Sequence, residues 1–160
     1  SGEKRTVGVN GDGGFVMNIQ ELQTIARLNL PIKIFVLCND GYGAIKATQT
    51  NLFNGNLVAC DEKSNLTIPP IAKVANAYGI KTEIIDTNVE LDNKVKSVIE
   101  YDGPVICEVH TPIGLTATPK QVSYKRSDGQ MESKPLEYMN PPISDEEMKE
   151  NMIISLFQEK

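Results

Sequence analysis

Two short polar turns, Gly11-Asp12-Gly13-Gly14 and Cys38-Asn39-Asp40-Gly41, each follow directly on an apolar, strand-like run. This repeated juncture constrains the fold more than any other feature of the chain. In open parallel sheets, ligands bind beyond the carboxyl ends of the strands, so two such turns are expected along one rim. Asp12 offers a hard carboxylate and Asn39 a hard amide oxygen. The glycines leave backbone amides free to approach an anion. Oxygen ligation at a few protein points suits Mg²⁺ or Ca²⁺. Taken alone, each turn is also an ordinary strand-end turn, because Gly, Asp and Asn are common turn formers.

The rest of the chain alternates strand and helix signals. Residues 6–10 read as a short strand. Ile19, Leu22, Ile25 and Ala26 recur at helical spacing, which predicts an amphipathic helix over 18–28 that ends before Leu30-Pro31. The run over 32–37, apolar apart from Lys33, is the kind expected of a strand buried on both faces. A loop with a short helix follows over 42–53, and a polar connection over 54–64. Pro69-Pro70 opens a helix with Ile71, Val74, Ala75 and Tyr78 on one face, and Gly79 is placed as its C-terminal cap. Residues 81–85 form a strand. Thr87 with Glu90 matches a capping box ahead of the stripe Leu91, Val95, Val98 and Ile99, and 105–109 is the next strand. Regular alternation of this kind implies an α/β fold, a parallel sheet flanked by helices. Beyond it no clear period is visible until Ser144 and Glu147, a further capping box, start a helix with Met148, Met152, Ile153 and Leu156 facing inward.

The resemblance carried by these residues is to the C-terminal, cofactor-binding domain of acetolactate synthase and related thiamine-diphosphate enzymes. Gly11 to Leu22 and Leu30 to Asn39 resemble that family's metal-diphosphate motif. Tyr42-Gly43-Ala44-Ile45, Thr48-Gln49, Ala77-Tyr78-Gly79-Ile80 and Gly103-Pro104-Val105-Ile106 then follow in the family's order, over roughly residues 7–112. The tail over 123–139 is similar, more weakly, to acetolactate synthase-like proteins of bacterial polysaccharide clusters.

The resemblance implies a thiamine-diphosphate-binding fold, incomplete at its N-terminus, with thiamine diphosphate and Mg²⁺ as cofactors. Residues 1–112 are then the diphosphate- and Mg-binding domain, 113–143 an extended arm, and 144–160 a helix of the same domain. The pattern implies Asp12 and Asn39 as side-chain metal ligands and Gly41 as a backbone-carbonyl ligand. The cofactor-binding set is Gly11, Asp12, Gly13, Gly14, Asn39, Gly41, Tyr42, Gly43, Ala44 and Ile45. Asp12 and Asn39 stand at strand ends outside the apolar stripes, so replacing either is expected to leave the fold intact. Ala44 and Thr48 stand where acetolactate synthases often carry Met and Trp, which implies a wider pocket and a substrate other than pyruvate.

By the same resemblance the reaction is carbon-carbon bond formation or cleavage on a 2-oxo acid, of transferase or lyase type, in a homodimer or homotetramer. The partner that completes the site is a pyrimidine-binding domain carrying a Glu that activates the cofactor. No catalytic residue falls in this piece, and the piece alone is expected to be inactive. The alternatives are a 2-oxoacid decarboxylase, a carbon-carbon hydrolase, or a non-catalytic cofactor-binding module.

Other readings fail on spacing or charge. A dinucleotide loop needs glycine where Val16 stands, and no Gly-Lys-Ser/Thr follows. The alternating acids of a calcium loop are absent after Asp12. Asn18, Gln20 and Glu21 start a helix and are expected to cap it or face solvent. His110, the single histidine, reads as a strand-end residue without an acidic partner at ligand spacing. Asp61-Glu62, Asp92 and Asp145-Glu146-Glu147 read as solvated or helix-start charges. A net charge of −5, with only the pairs Lys4-Arg5 and Lys125-Arg126, speaks against nucleic acid or an anionic membrane as partner. Cys38, Cys60 and Cys107 suggest neither a disulfide framework nor a thiolate metal site, and no apolar run approaches a membrane span, so the cytoplasm is the default compartment.

Overall fold

The computed structural model describes residues 4–115, 118–121 and 123–155. The chain divides into two compact units, Ser1–Leu115 and Thr116–Lys160.

The first unit holds four parallel strands, β1 (Thr6–Gly11), β2 (Ile32–Cys38), β3 (Lys81–Ile85) and β4 (Val105–His110), in the order β1-β2-β4-β3. Alternate side chains of β2 and β4 point to opposite faces and build two cores. Ile34, Val36 and Ile106 pack with Phe15, Leu22, Ile71, Ala75 and Ile80 on one side; Phe35, Val105, Cys107 and Val109 pack with Ile85, Val98, Leu91 and Val95 on the other. Helices α1 (Asp12–Val16), α2 (Leu22–Arg27) and α4 (Ile71–Ala77) therefore serve the first core, and α5 (Leu91–Glu100) the second. Helix α3 (Gly43–Leu52) leaves the end of β2 and contributes to neither.

The register aligns Gly11 with Leu37 and Cys38 with His110, which brings the carboxyl ends of β1, β2 and β4 to one rim. The parallel sheet with helices on both faces is the architecture expected from the sequence.

Several local expectations are corrected. The predicted helix over 18–28 is a 3₁₀ turn, Ile19–Glu21, followed by α2, and the glycine turn itself starts the short helix α1. The strand β2 is not buried on both faces throughout. Leu37 is 40% exposed, whereas Lys33 is fully buried and its Nζ donates to the carbonyls of Tyr101, at 2.8 Å, and Gly103. The Thr87 hydroxyl makes no capping bond, and the Glu90 carboxylate instead lies 3.2 Å from Lys94 Nζ, its i+4 neighbour. Gly79 sits at φ +73 after α4, the left-handed position its placement as a cap requires. The edge strand β1 leaves Val7 and Val9 exposed.

The second unit contains two short antiparallel ladders, β5 (Lys120–Gln121) with β8 (Met139–Asn140) and β6 (Ser123–Lys125) with β7 (Met131–Ser133), which the sequence pattern does not signal. Helix α6 (Asp145–Asn151) follows, and Ser144 Oγ accepts from the Glu147 amide at 3.1 Å, one half of the capping box. Met152 stands at the C-cap, and Leu156 lies outside the described residues. No helix among the described residues is long and apolar enough to cross a membrane.

Candidate functional site

Both polar turns lie at the carboxyl rim, and a single side chain ties them together. Asp12, the first residue of α1, is 3% exposed. Its Oδ1 accepts from the Gly13 amide at 2.7 Å, and its Oδ2 accepts from the amides of Asn39 and Asp40, each at 3.1 Å. Asp40 takes up φ +62, so two successive amides of the second turn converge on one carboxylate oxygen. Asp12 therefore also holds structure together, which corrects the expectation that its replacement leaves the fold untouched.

Asn39 completes the pair. Its side-chain Oδ1 is buried and has no hydrogen-bond partner among the described residues. Buried polar atoms are almost always paired, because an unpaired one costs about 1–3 kcal/mol. An orphaned amide oxygen beside a buried carboxylate is a hard, oxygen-only donor set, the kind a small divalent cation takes.

The glycines are there for close approach. A Cβ on Gly13 would fall 2.2 Å from the Tyr42 ring, one on Gly43 2.9 Å from Asn39 Nδ2, and one on Gly14 2.7 Å from Asn10 Oδ1. Gly41, at φ +156, would meet the Cys60 carbonyl at 2.2 Å. The fold thus brings Asp12, Gly13, Asn39, Gly41, Tyr42 and Gly43 together. Gly11 has open space around it, and Ala44 and Ile45 lie exposed on the first turn of α3.

His110 is not the unpartnered residue expected. Its Nε2 lies 2.7 Å from Glu108 Oε1 and its Nδ1 3.2 Å from Asp86 Oδ1. The other Glu108 oxygen accepts from the Ala72 amide at 2.6 Å, which satisfies a free donor in the first turn of α4. The hydrogen bond to Glu108 holds the His110 pKa above its ordinary value, with the charges of Glu108 and Asp86 adding to it and burial opposing it. The signal was legible, since residues two apart on a strand share a face.

The rim is consequently acidic. Cys38, next to Asn39, has its thiol pushed up to about 12, first by burial and then by the charges of Glu108 and Asp12. A bare polyphosphate anion is repelled by such a rim, and a divalent cation placed between them reverses the sign of the interaction.

Asp61, read from the sequence as solvated, is instead engaged with Ser64 and Lys46 beside Gly41. Its Asp-x-x-Ser spacing is the available signal. Gln49, part of the resembling Thr48-Gln49 segment, spends its amide on both backbone groups of Val58.

The family described as "Thiamine pyrophosphate enzyme, C-terminal TPP binding domain" matches residues 1–109. The acetolactate synthase large subunit of Porphyra purpurea is 34% identical over 105 residues, covering 63% of this chain and 17% of that protein. The probable acetolactate synthase large subunit of Methanococcus aeolicus is 34% identical over 106 residues, covering 66% and 17%. Among solved structures, the thiamine diphosphate-dependent 4-hydroxybenzoylformate decarboxylase of Rhodococcus jostii RHA1 superposes with a TM-score of 0.61 at 27% identity, covering 71% of this chain and 21% of that one. The chain thus spans about a sixth of the length of these curated relatives. It belongs to the thiamine pyrophosphate enzymes, as a C-terminal TPP-binding domain similar to that of acetolactate synthase large subunits.

Proposed function

We propose that this chain is the diphosphate-anchoring part of an acetolactate synthase-like enzyme that makes or breaks carbon-carbon bonds in 2-oxo acids. Asp12 and Asn39 would hold a Mg²⁺ ion through their side chains and Gly41 through its carbonyl. The backbone at Gly13 and Gly14 would lie against the diphosphate, and Tyr42 and Gly43 would border it. The observation that carries this reading is the buried Asn39 Oδ1, without a hydrogen-bond partner among the described residues, on the residue whose backbone amide donates to the buried Asp12 carboxylate. Thiamine diphosphate supplies the electron sink for chemistry next to a carbonyl; the protein supplies binding and orientation.

On this reading the domain works with a pyrimidine-binding domain in a cytoplasmic homo-oligomer and is inactive alone. Calorimetry on the full-length gene product tests the site. Asp12→Ala and Asn39→Ala should each abolish Mg²⁺-dependent binding of thiamine diphosphate. Wild-type affinity in either variant overturns the assignment.

A second reading, a 2-oxoacid decarboxylase, is favoured by the likeness to the Rhodococcus jostii decarboxylase and by the small side chains of Ala44 and Thr48. Assaying acetolactate formation from pyruvate against release of carbon dioxide from bulkier 2-oxo acids separates the two.

A further inference from the structure

We infer that residues 58–64 form a clasp that presets the Asn39-Asp40-Gly41 turn for its metal, with Asp61, Ser64 and Lys46 as positioning residues. This rests on the reading of that turn as the cofactor site. Asp12 grips the turn from one side, through the amides of Asn39 and Asp40. That leaves Gly41 and Tyr42 to be held from the other. The chain returns there after α3: the Tyr42 amide donates to the Cys60 carbonyl at 2.8 Å, and Gly41 and Asp61 form an isolated antiparallel bridge. The approach is so close that only a residue without a side chain fits at Gly41.

The returning segment is shaped by its own polar groups. Asp61 Oδ1 accepts from the Ser64 amide at 3.0 Å, while Ser64 Oγ accepts from the amides of Asp61, at 2.9 Å, and Cys60, at 3.0 Å. The remaining Asp61 oxygen lies 2.6 Å from Lys46 Nζ, on the helix that begins right after the metal turn. Further along that helix, Gln49 accepts from the Val58 amide at 2.9 Å and donates to its carbonyl at 3.1 Å. Asp61 is therefore committed to two partners, and its carboxyl is held down at about 2 by the Lys46 and Ser64 hydrogen bonds. Apart from bonds to the adjoining residues Asn65 and Leu66, the hydrogen bonds from the segment to other described residues go to α3 and to the turn, so the network fixes the backbone that carries Gly41. A turn that is already ordered binds its ion with the full intrinsic affinity; one that is ordered only part of the time binds with that affinity multiplied by the ordered fraction.

The test measures the Mg²⁺ concentration at half-saturation of thiamine diphosphate binding, by calorimetry on the full-length gene product, together with thermal unfolding without cofactor. Ser64→Ala and Lys46→Met should raise that midpoint about tenfold, the scale of one lost hydrogen bond to a charged group, and saturating Mg²⁺ should restore binding. Ser64→Thr, which keeps the hydroxyl, should return the midpoint to that of wild type. A lowered unfolding temperature with an unchanged midpoint makes the network a loop support only and overturns the inference. If Ser64→Ala fails to fold, Lys46→Met decides alone, because it leaves the Asp61–Ser64 pairing in place. Asn39→Ala separates the two levels. Wild-type Mg²⁺ dependence in Asn39→Ala overturns the site itself, whereas its loss there with wild-type midpoints in both clasp variants overturns only the clasp.

Discussion

The proposed site pairs Asp12 and Asn39 as metal ligands, yet their substitution should affect the cofactor-free chain in opposite ways. Asp12→Ala removes the acceptor for three amides: Gly13, buried at 2.7 Å, and Asn39 and Asp40, part-buried at 3.1 Å. Bonds to a charged acceptor contribute about 1.5–3 kcal/mol each. The amides of Asn39 and Asp40 lie on a turn where water replaces part of the loss, so the total is set at about 2–4 kcal/mol. That is a large share of the 5–15 kcal/mol typical of a domain and corresponds to a fall in melting temperature of roughly 5–15 °C. Asn39→Ala removes an oxygen that has no partner among the described residues. It should leave stability unchanged or raise it by about 1 kcal/mol.

Thermal or urea unfolding of the chain without metal or cofactor measures both. With Mg²⁺ and thiamine diphosphate added to the full-length gene product, the order should change: both variants should lose the stabilisation that a bound ligand gives wild type, about 2.7 kcal/mol at a hundredfold excess over Kd. An Asp12→Ala chain as stable as wild type, or an Asn39→Ala chain as damaged as Asp12→Ala, would refute the division of roles drawn from the hydrogen bonds.

Two further outcomes follow from the rim. His110 should titrate above its ordinary value, and Glu108→Gln should bring it down. Because the folded-state pKa is the higher one, the stability it contributes is complete below the unfolded value of about 6.5 and fades as pH rises through the folded value. Nuclear magnetic resonance titration of the single histidine, with melting temperatures from pH 5 to 8, checks both, and a stability difference from His110→Asn that grows with rising pH contradicts it. Gly13→Ala should cost about 1–3 kcal/mol, because a Cβ 2.2 Å from the Tyr42 ring forces that ring to move; no loss of melting temperature in that variant would show that the ring does not lie where the structure puts it.

The fold was legible where one periodic pattern meets one face. Ile71 and Ala75 read as a helix stripe and are buried against the sheet; on the opposite side Val98 is buried and Leu91 and Val95 pack partly buried beside it. Of the rim, the sequence exposed the chemistry-bearing types at Asp12 and Asn39 but not the bonds between them, since Asp12 reaches the Asn39 and Asp40 amides only after the parallel register sets β1 beside β2. Spacing alone misled at Glu90, where a nearby Lys94 outcompeted the Thr87 backbone for the carboxylate. Lys33, a charge inside an apolar run, is buried as that run is expected to be, and its ammonium group donates to carbonyls from the loop before β4, partners that the local pattern does not name. Asp61 shows the same limit from the other side. Its local turn is readable from its spacing to Ser64, but its charge is paired with Lys46 only because the chain after α3 returns to the start of that helix. Patterns of burial are written locally along the chain, whereas the partners of a charge are chosen by tertiary contact. The partner that Asn39 Oδ1 lacks among the described residues is therefore to be sought by metal and cofactor titration.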